Sequence, residues 1–141
     1  MANTVMTSFK KELMEGTHDL ATSGDTFKLA LYTSSSSINA AGTTIYTTSD
    51  EVGNSGTYSA GGGTLAGQTV TTDGTTAICN FTDLEFTSAT ITARYALIYN
   101  SSESNAAVCV LDFSTDQIST AGTFKIDFPA SGASTSIIRV A

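Results

Sequence analysis

The sequence predicts a mainly β protein: an antiparallel β-sandwich, with jelly-roll or Greek-key wiring, of seven or eight strands with one N-terminal helix. Three observations carry this prediction. Apolar residues alternate with period two in segment after segment from residue 26 onward. Turn signals separate those segments about every 8 to 15 residues. Helical spacing occurs once, near the N-terminus. Helices therefore do not alternate with strands, which disfavours a parallel α/β sheet. The 141 residues suit a single domain, 1–141, with a core large enough to need no disulfide or metal staple.

Residues 3–16 form the predicted helix. Val5, Phe9 and Leu13 recur every four residues with Met6 beside them, Asn3 or Thr4 can cap the start, and Gly16 can end it. The stripe must cover a sheet or dock on a neighbouring subunit. Residues 26–32 alternate Phe27, Leu29 and Leu31 on one face. Residues 33–63 then read as a long irregular loop or arm, with Ser34–Ser37 and Gly61–Gly63 as breakers and Ile38, Ile45, Tyr46, Val52 and Tyr58 as sparse anchors.

Residues 64–141 form the strand-rich part. Residues 65–72 end at Asp73-Gly74, a hairpin signal. Residues 75–86 change parity between Phe81 and Leu84, which predicts a bulge or bend at Thr82-Asp83. Residues 91–99 alternate cleanly, 100–105 form a polar turn, and 106–113 are apolar on both parities, as in a central strand. Phe124, Ile126 and Phe128 mark a further strand stopped by Pro129, and 136–140 a last one.

Only 13% of residues are charged, against about 25% in typical domains. Polarity comes instead from 25 Thr and 18 Ser. The net charge is −7, and the six basic residues (Lys10, Lys11, Lys28, Arg94, Lys125 and Arg139) are scattered. That pattern excludes a nucleic-acid or anionic-membrane partner, since neither finds a basic cluster; the acidity reads as solubility. The opening residues show no secretory-signal pattern, so synthesis in the cytoplasm is expected, and the apolar runs are too short to span a bilayer. Cys79 and Cys109 then read as free thiols, a bridge requiring their strands to be neighbours.

No residue set carries recognisable chemistry. His18, the sole histidine, follows the helix end, and no serine sits in a nucleophile elbow. It reads as a polar residue closing the helix-to-strand turn. Two cysteines 30 positions apart and one histidine have no zinc-ligand spacing. The run from Asp112 to Asp116 lacks the glycine and glutamate of a calcium loop and reads as a surface turn. Asp83 and Glu85 share a strand face and read as solvated. Gly61–Gly63 lacks the lysine of a phosphate loop. The expectation is a non-enzymatic protein with no catalytic residue, metal or cofactor.

Four segments in order resemble a family of small virion structural proteins of tailed bacteriophages. They are Phe9-x-x-x-Leu13-x-x-Gly16-x-His18-x-Leu20 with Asp25-x-Phe27-Lys28-Leu29-Ala30-Leu31; Tyr58-x-x-Gly61-Gly62; Arg94 to Asn100; and Ala107 to Phe113. The resemblance spans most of the chain, and its motifs are structural. It implies a capsid decoration or cement protein that binds the outer surface of the major capsid protein shell, with self-association as a homotrimer. A tail adaptor or fibre-associated protein is the alternative. A carbohydrate-binding sandwich is disfavoured by the absence of Trp. The assembly interface expected on this reading comprises Val5, Met6, Phe9 and Leu13 from the helix and Ile38, Ile45, Tyr46, Val52 and Tyr58 from the loop.

Overall fold

A computed structural model describes residues 3–141. The chain order is β1 (Thr4–Val5), α1 (Thr7–Met14), β2 (Phe27–Tyr32), β3 (Gly63–Thr64), β4 (Thr69–Asp73), β5 (Thr76–Asn80), β6 (Leu84–Asn100), β7 (Ala106–Ile126) and β8 (Ile138–Val140). These strands make two antiparallel sheets, ordered β1-β7-β6-β2-β3 and β4-β5-β8. The mainly β, sandwich-like architecture with one short helix is the one predicted.

The N-terminus departs from expectation. Thr4 and Val5 are not helical: they pair with Val110 and Cys109 of β7. The Met6 N–H continues the pairing by donating to the Val108 carbonyl at 2.8 Å. Val5 thus leaves the predicted stripe, and Met6, not Asn3 or Thr4, is the N-cap residue, with no side-chain cap. Two β-branched residues beside an open strand edge gain ladder hydrogen bonds that one more helical turn could not match. The C-terminal end is as expected, with Gly16 at φ 76°.

β6 and β7 form a hairpin across the polar turn at residues 101–105, which the sequence marks. Both strands are far longer than their periodicity suggests. β7 absorbs residues 114–122 because Phe113 to Asp116 are looped out between the partners of Ala93 and Tyr95, after which pairing resumes. Ser114 sits there at φ 68°, and its N–H donates to Asp112 Oδ1 at 2.8 Å. The polar run is a turn, as read, but one inside a strand. The parity change near Thr82 is larger than a bend. The chain leaves the three-stranded sheet after Asn80 and enters the five-stranded one at Leu84. Phe81 at the crossover packs against both Phe27 and Phe128.

The core lies between the sheets and under α1, with β2 and the upper half of β6 buried on nearly every position. The segment 33–63 is irregular, as expected, but it does not project as an arm. Ile38, Val52 and Tyr58 are buried in the common core. At Gly62 (φ 77°) a Cβ would lie 1.8 Å from the Leu29 carbonyl oxygen, so the loop passes directly over β2. Among the described residues no helix is long and apolar enough to cross a membrane.

Candidate assembly surface

The segment 33–63 is held by one carboxylate. Tyr46 donates its hydroxyl to Glu51 Oε2 at 2.6 Å, while the Tyr58 hydroxyl and the Gly61 N–H both donate to Oε1 at 2.7 Å. Tyr58 Oη in turn accepts the Leu31 N–H at 2.9 Å, which ties the cluster to β2. Tyr99 of β6 donates to the Gly61 carbonyl at 2.6 Å and stacks on Tyr46 with centroids 4.7 Å apart. Tyr32 donates to the Thr47 carbonyl at 2.6 Å. Burial, reinforced by the Glu51 charge, pushes the Tyr32, Tyr46 and Tyr58 hydroxyls well above the ordinary phenol range and Tyr99 up to about 12. These phenols keep their protons and act as donors. The arrangement is a clamp on the loop.

His18 anchors a second cluster. Asn100 Oδ1 accepts the Ser102 N–H at 3.0 Å, which fixes the amide orientation. Asn100 Nδ2 then donates to Asp25 Oδ2 at 2.8 Å and to His18 Nδ1 at 2.9 Å. That leaves His18 Nε2 to carry the proton it donates to Glu12 Oε2 at 2.7 Å. The ring is fully covered and lies 4.7 Å from Phe9. Both nitrogens thus join α1, the loop after it and the end of β6, which is the turn-closing role the sequence suggested.

The nine expected interface residues separate. Met6, Phe9, Ile38, Val52 and Tyr58 lie inside the chain's own core, so they reach no partner in this fold. Val5 is half-buried in β1. Leu13 is half-buried beside Cys79 and Val70, where it lines a cleft of about 150 Å³. Tyr46 is half-buried under its stack on Tyr99. Ile45, 52% exposed, is the one that offers most of its side chain to solvent. Nor is α1 a separable docking element, because Met6 and Phe9 help build the core. Cys79 and Cys109 are buried free thiols on different sheets. Burial pushes them up to about 11 and about 12.

A different surface emerges along β7. Val110 and Cys109 are covered by β1, but from Gln117 to Ile126 the strand pairs only with β6 among the described residues. A groove of about 440 Å³ follows this stretch. Residues of both parities line it, Ile118 and Lys125 as well as Phe124 and Ile126, as expected of a groove that runs along a strand's edge. Its other wall is Phe128, Pro129 and Ile137.

The charges of the groove are paired. Arg94 Nε donates to Asp112 Oδ1 at 2.7 Å; this bond holds the Asp112 carboxyl down to about 2. Lys125 lies 2.7 Å from Asp127 and 3.1 Å from Asp83. These bonds push the Lys125 ammonium up, and the Asp83 carboxyl is held down by the Phe128 N–H and then by Lys125. Sequence reading missed this surface because it broke the strand at Ser114. The near absence of charge between Asp116 and Lys125 was the available signal.

Fold and surface together define a hydroxyl-rich, sandwich-like β protein with, among the described residues, one long strand edge left open. No protein-family model, curated protein or solved structure matches the chain.

Proposed function

We infer that the chain is a non-enzymatic structural protein of a tailed-phage virion: a decoration or cement protein that sits on the outer surface of the major capsid protein shell and stabilises it. The observation that carries this reading is the open β7 edge with its groove, on a framework whose Glu51 and His18 clusters are engaged in holding the fold. The ordered resemblance of four segments supports it. So does the low surface charge, which reduces the cost of desolvating a contact. Binding at many symmetry-related places, as a trimer on local three-fold sites, would multiply weak individual contacts.

The test is light scattering on the purified chain followed by co-sedimentation with heads that lack it. The expected result is a trimer that repopulates the shell and raises the temperature at which the heads open. A chain that ignores heads and sediments with tails instead would replace this reading with that of a tail component.

A further inference from the structure

We propose that the open edge of β7 is a strand-addition site, which receives an extended, uncharged segment of the shell protein as a new antiparallel strand on the edge that β1 also uses. This rests on the decoration reading. The backbone sets the chemistry of the occupant. From Gln117 to Ile126 β7 has a partner on one side only among the described residues, so its other side offers peptide donors and acceptors.

β1 shows that this edge accepts an antiparallel strand, in the register Thr4 to Val110 and Val5 to Cys109. The Asp112 N–H reaches forward to Asn3 Oδ1 at 3.3 Å, and Asn3 stands at the mouth of the groove. An antiparallel strand on residues 117–126 would run towards Asn3 and end beside the looped-out residues 113–116.

The lining sets the side chains. Phe113, Phe128 and Ile137 give the groove apolar patches beside the polar Asn3, Gln117 and Thr123, while Leu111, Phe124 and Ile126 are nearly covered. A strand lying in it would point alternate residues at both, which suits apolar or hydroxyl-bearing side chains without charge. Asp112 is engaged by Arg94 and Lys125 by both Asp83 and Asp127, so the site presents no free cation to attract an acidic segment.

The edge also carries few of the devices that discourage pairing. Between Phe113 and Phe124 it has one charged residue, Asp116, and no proline. Ile118 stands 68% exposed. The positive φ of Ser114 and Ala121 limits regular pairing to short stretches, which suits a contact that gains strength by repetition over a shell.

A second copy is a poor occupant. Of its other edge strands, β1, β3 and β8 are two or three residues long, and β4 is exposed at all five positions and carries Thr69, Thr71 and Asp73 on one face and only Val70 and Thr72 on the other. It has no apolar alternation to fill the groove.

Hydrogen exchange and co-sedimentation on the full chain test the proposal, with heads lacking the chain as the probe. Binding to heads should slow the outward-facing amides along residues 117–126 by roughly tenfold or more. Ile118→Lys, which places a charge on the edge, should weaken head binding by roughly tenfold while Met14→Lys, at the 91% exposed end of α1, stays within about twofold. If wild-type chain binds heads but residues 117–126 gain no protection, or Ile118→Lys binds normally, the strand-addition proposal fails and the decoration reading stands. If wild-type chain ignores heads, both fail. Protection of the same residues in free chain that scatters as a dimer would overturn the proposal in favour of pairing between copies.

Discussion

The loop at residues 33–63 and the strand β7 invert the usual association of regularity with burial. The loop has only isolated bridges at Glu51, Ile45 and Ser55–Tyr58 beyond the start of β3, yet Glu51 and four tyrosines fasten it across β2 and β6. β7 is the longest strand, yet its second half is covered on one side only. Backbone hydrogen bonding must be satisfied in both places. In the loop the protein supplies the partners partly from turns and bridges of the backbone and partly from side chains. Along β7 it leaves them to water or to another chain. Hydroxyl and phenol groups therefore do two jobs here: buried, they replace a ladder; exposed, they keep an edge soluble without charging it.

The largest effect in this comparison should come from the clamp. Gly62→Ala places a methyl group against the Leu29 carbonyl at a positive φ, and should cost about 4 kcal/mol or prevent folding. Glu51→Ala removes the acceptor for two phenols and one amide and should cost about 3 kcal/mol in chemical denaturation. A loss below about 1 kcal/mol would mean that the loop is held by packing alone.

A smaller effect should appear with acid. The folded Asp112 carboxyl is held at about 2, below its ordinary 3.8, so it contributes stability above the higher value. That contribution should fade as pH falls from about 4 towards 2, and Asp112→Asn should flatten this part of the pH–stability curve. A variant with the wild-type acid limb would show that the Arg94 pair does not hold the bulge.

The smallest effects belong to the edge itself. Ile118→Lys should change the stability of the free chain by no more than about 0.5 kcal/mol. The thiols of Cys79 and Cys109 should stay unreactive to a thiol reagent at pH 8 and appear together on unfolding, since both are buried. A thiol that reacts in the native chain would place that part of the core at the surface.

Much of the strand framework was legible. The alternation at Phe27–Leu31 and Tyr95–Tyr99, the Asp73-Gly74 turn and the stop after Phe128 all reflect local physics: period two, a left-handed turn position, a missing N–H. Three things were not legible, and each depends on long-range contacts. Thr4 and Val5 became a strand because β7 offered them an edge. The parity change at Thr82 marked a move between sheets, which periodicity alone cannot distinguish from a bulge. Ser114 to Asp116 looked like a terminus because a looped-out turn inside a strand has a terminus's composition.

The candidate site followed the same division. Apolar spacing found Met6, Phe9, Ile38, Val52 and Tyr58 correctly as residues that must be covered, but the chain covers them itself. What remains open is a backbone edge, and one-dimensional patterns do not record which side of a strand lacks a neighbour.

Residue-resolved hydrogen exchange of the free chain tests this contrast most directly. The account predicts slow exchange at Leu31 and Gly61, whose amides are bonded to Tyr58 and Glu51, and fast exchange at alternate amides along residues 117–126. Rapid exchange at Gly61 together with uniform protection along β7 would contradict it, since the loop would then be the free surface and the strand edge already occupied.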